Sequence, residues 1–353
     1  MKLKNILSVL LIAVLILPGL SSCNSKSKKS GNKNEKNIKS QQIKPSSIGG
    51  TDEVLVVLQN DQQWKGTIGK TIKKYMAAPQ YGLPQPEPKF KLLHVTKKIF
   101  NDMFKKQRNI VVVNIDPKVT RPSIRLRADV WAAPQLVFTI TAPSSAVFEK
   151  VFSNNNNVIM RRFQALEIQR IIDVFKTSLD VKLIEKIKKQ FGFTLDVPTG
   201  FYIAKTDPGF MWIRHEASMY SQGIMIISVP YVDTAQFSRE SILNRIQNYQ
   251  RRFIPGPTNG SYMALDRKFE IPHYKITTNF PTKYAAEIIG LWRVEHDFMG
   301  GPFVSYTFLD HKTNEIVTLF GYVYYPNHNK RNILLQVQSI LYSISFKVPP
   351  VKK

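Results

Sequence analysis

The chain has 353 residues, a length that allows about two domains, each with its own core. Hydrophobic residues make up 43% of it and aromatic residues 11%, which excludes a wholly disordered protein. Fifty Lys and Arg oppose 25 Asp and Glu, and the single Cys excludes internal disulfides and multi-cysteine metal sites.

The N-terminal segment has the pattern of a bacterial lipoprotein signal. An apolar run from Leu7 to Leu17 follows two lysines and is too short to span a bilayer, so residues 1–22 are predicted to be a signal peptide. The run leads into Leu20-Ser-Ser-Cys23, which resembles a lipobox. We therefore expect Cys23 to carry acyl chains such as palmitate and to anchor the chain in a membrane. The alternative is an ordinary secretory signal in which this Cys occurs by chance.

A basic, polar segment at residues 23–44 separates this anchor from the folded part. Its Lys, Ser, Asn and Gln content predicts a disordered tether. Asn24 stands where an inner-membrane retention signal usually carries Asp, which favours the outer membrane, and the lack of an acidic stretch after Cys23 favours the periplasmic side. In this compartment we expect neither nucleic acid nor nucleotide as a partner, despite the basic charge.

Residues 45–153 alternate between strand and helix patterns, which predicts an α/β domain with partly parallel strands. Strands are predicted at residues 53–58, 90–95, 109–115 and 135–141, and helices at 64–76 and 96–106. Pro143-Ser-Ser145 is predicted to open a further helix. The asparagine run 154–157 is predicted to interrupt the chain, and residues 154–190 then show helical spacing. We expect one long connecting helix there, or two with a kink.

Residues 191–347 predict an α+β sandwich built on an antiparallel sheet, followed by a tail at 348–353. Strands are predicted at residues 193–197, 200–206, 210–217, 222–229, 262–268, 274–279, 285–296, 303–309 and 315–325, and helices at 238–253 and 329–343. The opening segment, Phe193 to Phe201, and the closing helix with Ser345-Phe-Lys347 resemble PsbP/Mog1-type domains. This resemblance concerns topology and implies no function.

Motifs for catalysis or phosphate binding are incomplete in this sequence. Gly66-Thr-Ile-Gly-Lys-Thr71 lacks the first glycine of a phosphate-binding loop, because Trp64 stands at that position. His215-Glu216 lacks the second histidine of a zinc-protease motif, and no G-x-S-x-G nucleophile motif is present. We therefore predict no cofactor and no metal, and favour a non-enzymatic role.

Three Gly- and Pro-rich loops, at residues 83–88, 254–263 and 297–303, allow two interpretations. Either they only form tight turns, or they line a cleft suited to a glycan or a lipid headgroup. The candidate ligand-binding residues of that cleft are Trp212, Tyr262, Trp292, Arg293 and Phe303. If the protein were an enzyme, Glu295 and Asp297 would be the acid/base candidates.

Asp233-Thr-Ala235 fits a short O-glycosylation motif, which makes Thr234 a candidate modification site.

Four longer segments are similar to a family of Gram-negative lipoproteins known as domain of unknown function 4837, over about Pro45 to Lys347. These segments are residues 53–57, 83–88, 255–263 and 290–305. The resemblance implies a lipoprotein and assigns no catalytic or binding residue.

These features predict a binding or assembly module anchored to the outer membrane. Its partner would be an envelope protein, a glycan or an anionic lipid. Two alternatives stay open: an enzyme acting on glycan or cell wall with its site near residues 292–303, and electrostatic docking to anionic envelope surfaces.

Overall fold

The computed structural model describes residues 44–346, and it is a mixed α/β fold with seven α-helices and two sheets in this range. The residues described form one compact unit. The predicted signal peptide, Cys23, nearly all of the tether and the tail at 348–353 lie outside the described residues. The domain boundaries predicted from the sequence stay a prediction.

The first sheet has five strands and is mostly parallel. Its strands are β1 (Glu53–Leu58), β2 (Lys91–Thr96), β3 (Asn109–Ile115), β4 (Ser123–Ala128) and β5 (Leu136–Ala142), in the spatial order β2-β1-β3-β5-β4. β1 pairs in parallel with β2 and β3, β3 pairs in parallel with β5, and β4 is an antiparallel edge strand. Every residue of β1 is buried, as expected for a continuous apolar run inside a parallel sheet.

Four helices accompany this sheet: α1 (Asp61–Lys65), α2 (Thr67–Met76), α3 (Asp102–Lys105) and α4 (Ser145–Phe175). The apolar sides of α2 and α4 pack on one face of the sheet, where Phe148, Phe152 and Phe163 join the strand residues in a single core. α4 begins where the Ser144 hydroxyl accepts the N–H of Val147 at 3.3 Å, a regular N-cap.

Of the two arrangements expected for residues 154–190, the structure has two helices. The first begins at Ser145, where a helix was predicted to open, and it continues through the asparagine run that was predicted to interrupt the chain. The asparagines at 154–157 do not interrupt it, and the amides of Asn155 and Asn156 donate to the carbonyl groups of Val151 and Ser153 in the preceding turn. The break comes at residues 176–180, and α5 (Val181–Phe191) follows.

The second sheet has eight strands, and all their pairings are antiparallel. They are β6 (Phe201–Asp207), β7 (Phe210–Glu216), β8 (Ser221–Pro230), β9 (Tyr262–Leu265), β10 (His273–Thr277), β11 (Ala285–Glu295), β12 (Gly300–Asp310) and β13 (Glu315–Tyr324). The spatial order is β10-β11-β12-β13-β8-β7-β6, and β9 pairs with β11 beside β10. The antiparallel sheet predicted for this half of the chain is confirmed.

Helices cover both faces of the second sheet. α5 and α7 (Arg331–Tyr342) lie on one face, where Val337 of α7 packs into a large apolar core. α6 (Arg239–Phe253) lies on the other, and its Ile246 packs into a second core. The Ser238 hydroxyl caps α6 by accepting the N–H of Ser241, at 3.3 Å.

The two sheets are joined through α4, α7 and the proline-rich loop between α2 and β2. Ile168 and Ile172 of α4 pack against Leu335 of α7. The loop inserts Leu83 into the core of the second sheet and places the Glu87 carboxylate at the N-terminus of α7. The loop therefore has a structural role that connects the two halves of the chain.

A buried ionic cluster ties α4 to the first sheet. The fully buried Glu167 accepts hydrogen bonds from Arg170 at 2.7 Å, Asn109 at 2.8 Å and Arg108 at 3.0 Å. Burial lowers the pKa of Arg170 to about 10, and the neighbouring Glu167 opposes that shift. Glu167 is therefore compensated by charge and by hydrogen bonds, as a buried carboxylate requires.

Two local predictions differ from the structure, and one strand was not predicted. Residues 193–197 are not a strand, and Thr194 makes only an isolated bridge with Ser345. The helix predicted at 96–106 is a short 3₁₀ turn followed by the one-turn α3. β4 was not predicted, because this edge strand has no buried face that would produce a clear apolar alternation.

Candidate ligand-binding pocket

Three of the aromatic residues expected to line a cleft lie in the core instead. Trp212, Trp292 and Phe303 are at most 6% exposed and pack beneath α6. The Trp212 Nε1–H donates to the Tyr322 hydroxyl at 2.9 Å, and the Trp292 Nε1–H donates to the Val323 carbonyl at 3.1 Å. Both indoles are therefore satisfied inside the protein, and no open cleft exists at these three residues.

The Gly-Gly pair before Phe303 belongs to this core packing. Gly300 and Gly301 are not in the turn but begin β12, opposite Arg293 and Trp292 of β11. A Cβ atom on Gly301 would lie 2.1 Å from the Val323 carbonyl oxygen, which already accepts the Trp292 indole. Glycine is required here because backbone and indole approach closely.

The remaining cleft and acid/base candidates lie near the β11–β12 turn. Arg293 forms an ion pair with Glu295, at 2.5 Å between Nη2 and Oε2. Asp297 accepts the N–H of Phe298 at 2.6 Å, so that one carboxylate oxygen stabilises the turn. The guanidinium carbon of Arg251 lies over the Tyr262 ring, 5.4 Å from the ring centre. Roles in ligand binding or catalysis for Tyr262, Arg293, Glu295 and Asp297 stay predictions.

A separate cavity of about 320 Å³ lies at the end of the second sheet where β8 and β12 finish. Three segments that are distant in the sequence form it: residues 231–237 after β8, 282–284 before β11 and 309–311 at the end of β12. The lining residues are Tyr231, Thr234, Phe237, Thr282, Tyr284, Leu309 and His311. We call this cavity the aromatic pocket.

The aromatic pocket combines apolar rings with polar groups that have no protein partner. Phe237 and Tyr284 are in edge contact, with ring centres 5.7 Å apart. Among residues 44–346, no hydrogen-bond partner is found for the hydroxyls of Tyr231, Thr234 and Tyr284 or for the His311 ring. Its volume is at the lower end of the range of small-ligand sites. Thr234, Tyr284 and His311 are exposed, so their polar atoms face solvent and are open to a ligand.

The wall of the pocket at residues 234–237 is held by several hydrogen bonds. It is a single 3₁₀ turn whose N-cap is Asp233, and the Gln236 amide reaches back to the N-cap, completing a capping box. The Tyr274 hydroxyl donates to the Phe237 carbonyl at 3.1 Å, and Arg245 donates to the Gln236 carbonyl at 2.9 Å. The turn is therefore positioned by two side chains from other elements.

Thr234, the candidate glycosylation site, lies on the rim of this pocket and is exposed. Its modification stays a prediction.

Across the described part of the chain, no three His, Cys, Asp or Glu side chains are close enough to share a metal ion. Over the same residues, no helix is both long and apolar enough to cross a membrane.

Two family models match successive parts of the chain, one before and one after the segment between α4 and α5. Residues 180–343 match a family described as Domain of unknown function (DUF4837). The chain carries a DUF4837 domain. Residues 47–176 match a second model, Domain of unknown function (DUF8532), so the DUF4837 match is shorter than the span from Pro45 to Lys347 that the sequence suggested. No curated protein matches the chain. The aromatic pocket lies entirely within the DUF4837 domain.

The sequence did not predict this pocket, although it singled out Thr234. The rings of Tyr231, Phe237 and Tyr284 come from loops and strand ends, where hydrophobic periodicity carries no signal. The sequence held one indication of the pocket. Tyr231 and Phe237 lie within seven positions of each other in a short loop, which suggests that the DUF4837 domain exposes rings there.

Proposed function

We propose that this protein is a non-enzymatic binding module of the cell envelope whose aromatic pocket holds a sugar ring of an envelope glycan. The protein would be a lipoprotein, anchored to the outer membrane through Cys23 and facing the periplasm. The observation that carries the proposal is the convergence of Tyr231, Phe237 and Tyr284 on one cavity beside unpaired hydroxyls.

The chemistry of the pocket matches the two surfaces of a sugar. A pyranose ring has an apolar face of C–H groups and a rim of hydroxyls, so it needs flat apolar contacts together with hydrogen-bonding groups. Tyr231 and Tyr284 each offer a ring and a hydroxyl, and Thr234 and His311 add polar atoms at the rim. This pattern suits an uncharged or weakly charged ring better than a long aliphatic chain.

The support of the 3₁₀ turn favours binding without a large rearrangement. Because Arg245 and Tyr274 hold the backbone of Gln236 and Phe237, little ordering of that wall would be required when a ligand binds. A preformed wall reduces the entropic cost of association.

The fold is compatible with this role and does not specify it. The proposal includes a likeness between the C-terminal half and PsbP/Mog1-type domains. This is a likeness of topology, and no binding function depends on it. The tether at residues 23–44 would let the folded part reach away from the membrane while it stays attached.

The proposal is tested by glycan-array binding of the full chain and of two tyrosine variants. Tyr284 and Tyr202 are both 47% exposed, but only Tyr284 lines the aromatic pocket. We expect Tyr284→Ala to weaken binding to the recognised glycan by about tenfold, because a ring contact is lost. Tyr202→Ala should bind like the unmodified chain. Equal binding by all three proteins, or recognition of no glycan, would count against the proposal.

A further inference from the structure

A second cavity, of about 610 Å³, lies between α5 and the edge strand β6. It is lined by Lys186, Lys189 and Gln190 of α5, by Ile203 and Thr206 of β6, and by Met211 of β7. We call it the lysine groove. It lies on the α5 side of the second sheet and shares no lining residue with the aromatic pocket.

The floor of the lysine groove is apolar, and the polar groups at one end already have hydrogen-bond partners. Met211 is 2% exposed and Ile203 is partly buried, and both pack on the core beneath α5. At that end, the Gln190 amide donates to the Asp207 carbonyl at 2.8 Å and accepts from the Thr206 hydroxyl at 3.0 Å. These bonds satisfy the polar groups at that end, so an apolar chain entering the groove would displace no hydrogen bond of the floor.

The wall formed by α5 is cationic. Lys182, Lys186 and Lys189 follow one another at spacings of four and three residues, which places them along one side of the helix. Within residues 44–346, neither Lys186 nor Lys189 has a carboxylate within 4 Å, whereas Lys188 on the same helix pairs with Glu185 at 3.8 Å. Two uncompensated ammonium groups therefore stand directly beside an apolar floor.

We infer that the lysine groove binds an anionic lipid, with its phosphate between Lys186 and Lys189 and the first methylenes of its chain on Ile203 and Met211. Charge complementarity selects the phosphate, and burial of methylene groups selects a molecule with an aliphatic tail. An inorganic anion would contact only the lysines, and an uncharged detergent only the floor. The inference is independent of the function proposed for the aromatic pocket.

The test uses dodecyl phosphate bearing a diazirine on its chain, below its critical micelle concentration. The protein is the full chain with Cys23→Ser, so that acyl chains at Cys23 cannot compete. We expect photolabelling of the peptides that contain residues 201–211 or 182–190. Affinity should exceed that for inorganic phosphate and for dodecyl maltoside.

The matched variants are Lys186→Glu with Lys189→Glu, and Lys97→Glu with Lys98→Glu. Both pairs change the net charge equally, and Lys97 and Lys98 are exposed on a 3₁₀ turn beside the first sheet. The groove pair should lose about tenfold or more in affinity, and the control pair should lose less than twofold. Equal loss in both pairs would mean unspecific electrostatic attraction, and labelling within residues 44–346 but outside the groove would mean another site. Either result would overturn the inference.

Discussion

Asp52 is the most unusual carboxylate among the described residues. It is 4% exposed, and its backbone has a φ of 55° in the left-handed region that Asp and Asn tolerate best among side-chain-bearing residues. Its Oδ2 lies 3.8 Å from the Arg331 Nε, while its buried Oδ1 has no hydrogen-bond partner. Burial raises the pKa of Asp52 to about 7, with a smaller contribution from Glu167, and the Arg331 charge opposes the rise.

This pKa predicts that the contribution of Asp52 to stability falls as the pH rises from about 4 to 7. The folded state holds the Asp52 proton in this range and the unfolded state does not, so the free energy of unfolding falls by up to about 1.4 kcal/mol per pH unit. Asp52→Asn keeps the left-handed backbone and removes the titration. The difference between the two proteins in urea unfolding should therefore grow with pH up to about 7 and then level off. A constant difference from pH 4 to 8 would contradict this assignment.

Aromatic residues show how far single positions can be interpreted from sequence. Trp212, Trp292 and Phe303 do meet in one cluster, but that cluster is the core beneath α6 and not a cleft. Whether a ring faces solvent or the core depends on which helix covers that face of the sheet, and local sequence does not encode this. For the same reason, the sequence did not indicate that Tyr231 and Tyr284 line one pocket. The strand order of the second sheet brings the two residues together.

At the level of elements, α7 begins without a cap of its own. Its N-cap residue, Lys330, makes no side-chain capping bond. Glu87, from the proline-rich loop, instead accepts the N–H of Lys330 at 2.6 Å and that of Arg331 at 3.1 Å. Its negative charge also complements the positive end of the helix dipole. The cap of a C-terminal helix thus comes from the N-terminal half of the chain.

Removing this cap should destabilise the whole protein. Glu87 is 5% exposed, so Glu87→Ala leaves two buried N–H groups without a partner and should lower the free energy of unfolding by about 1–2 kcal/mol. Glu185→Ala is the control, because Glu185 is exposed and makes only a surface ion pair with Lys188. Chemical unfolding measures both. If Glu87→Ala proved as stable as Glu185→Ala, the cap would contribute nothing to stability.

Most strands and helices could be predicted because their apolar patterns are long and regular. β11, β12, β13 and α6 agree with the predicted segments to within about three residues. The predictions failed in segments whose structure is determined by contacts with other elements and not by the local sequence. The asparagines at 154–157 stay helical because α4 packs on the first sheet, and residues 193–197 have no strand partner beyond the bridge at Thr194.

For the molecule as a whole, the two matched families meet between residues 176 and 180, where α4 ends and α5 has yet to begin. The order of the two families along the sequence is a simple tandem, yet the contacts are interwoven. Leu83 enters the core of the second sheet, and the α7 N-terminus depends on Glu87. Such long-range contacts leave no periodic pattern in the sequence, which is why the loop at 83–88 could be recognised as special but not assigned a role.

Photo-crosslinking in intact cells tests most directly whether the aromatic pocket holds a ligand in the envelope. A photoreactive benzoylphenylalanine would replace Tyr284 in the full-length protein, and Tyr202 in a control with the same solvent exposure. We predict a reproducible glycan-containing adduct at position 284 that is absent at position 202. No adduct at position 284, or the same adducts at both positions, would contradict the proposal.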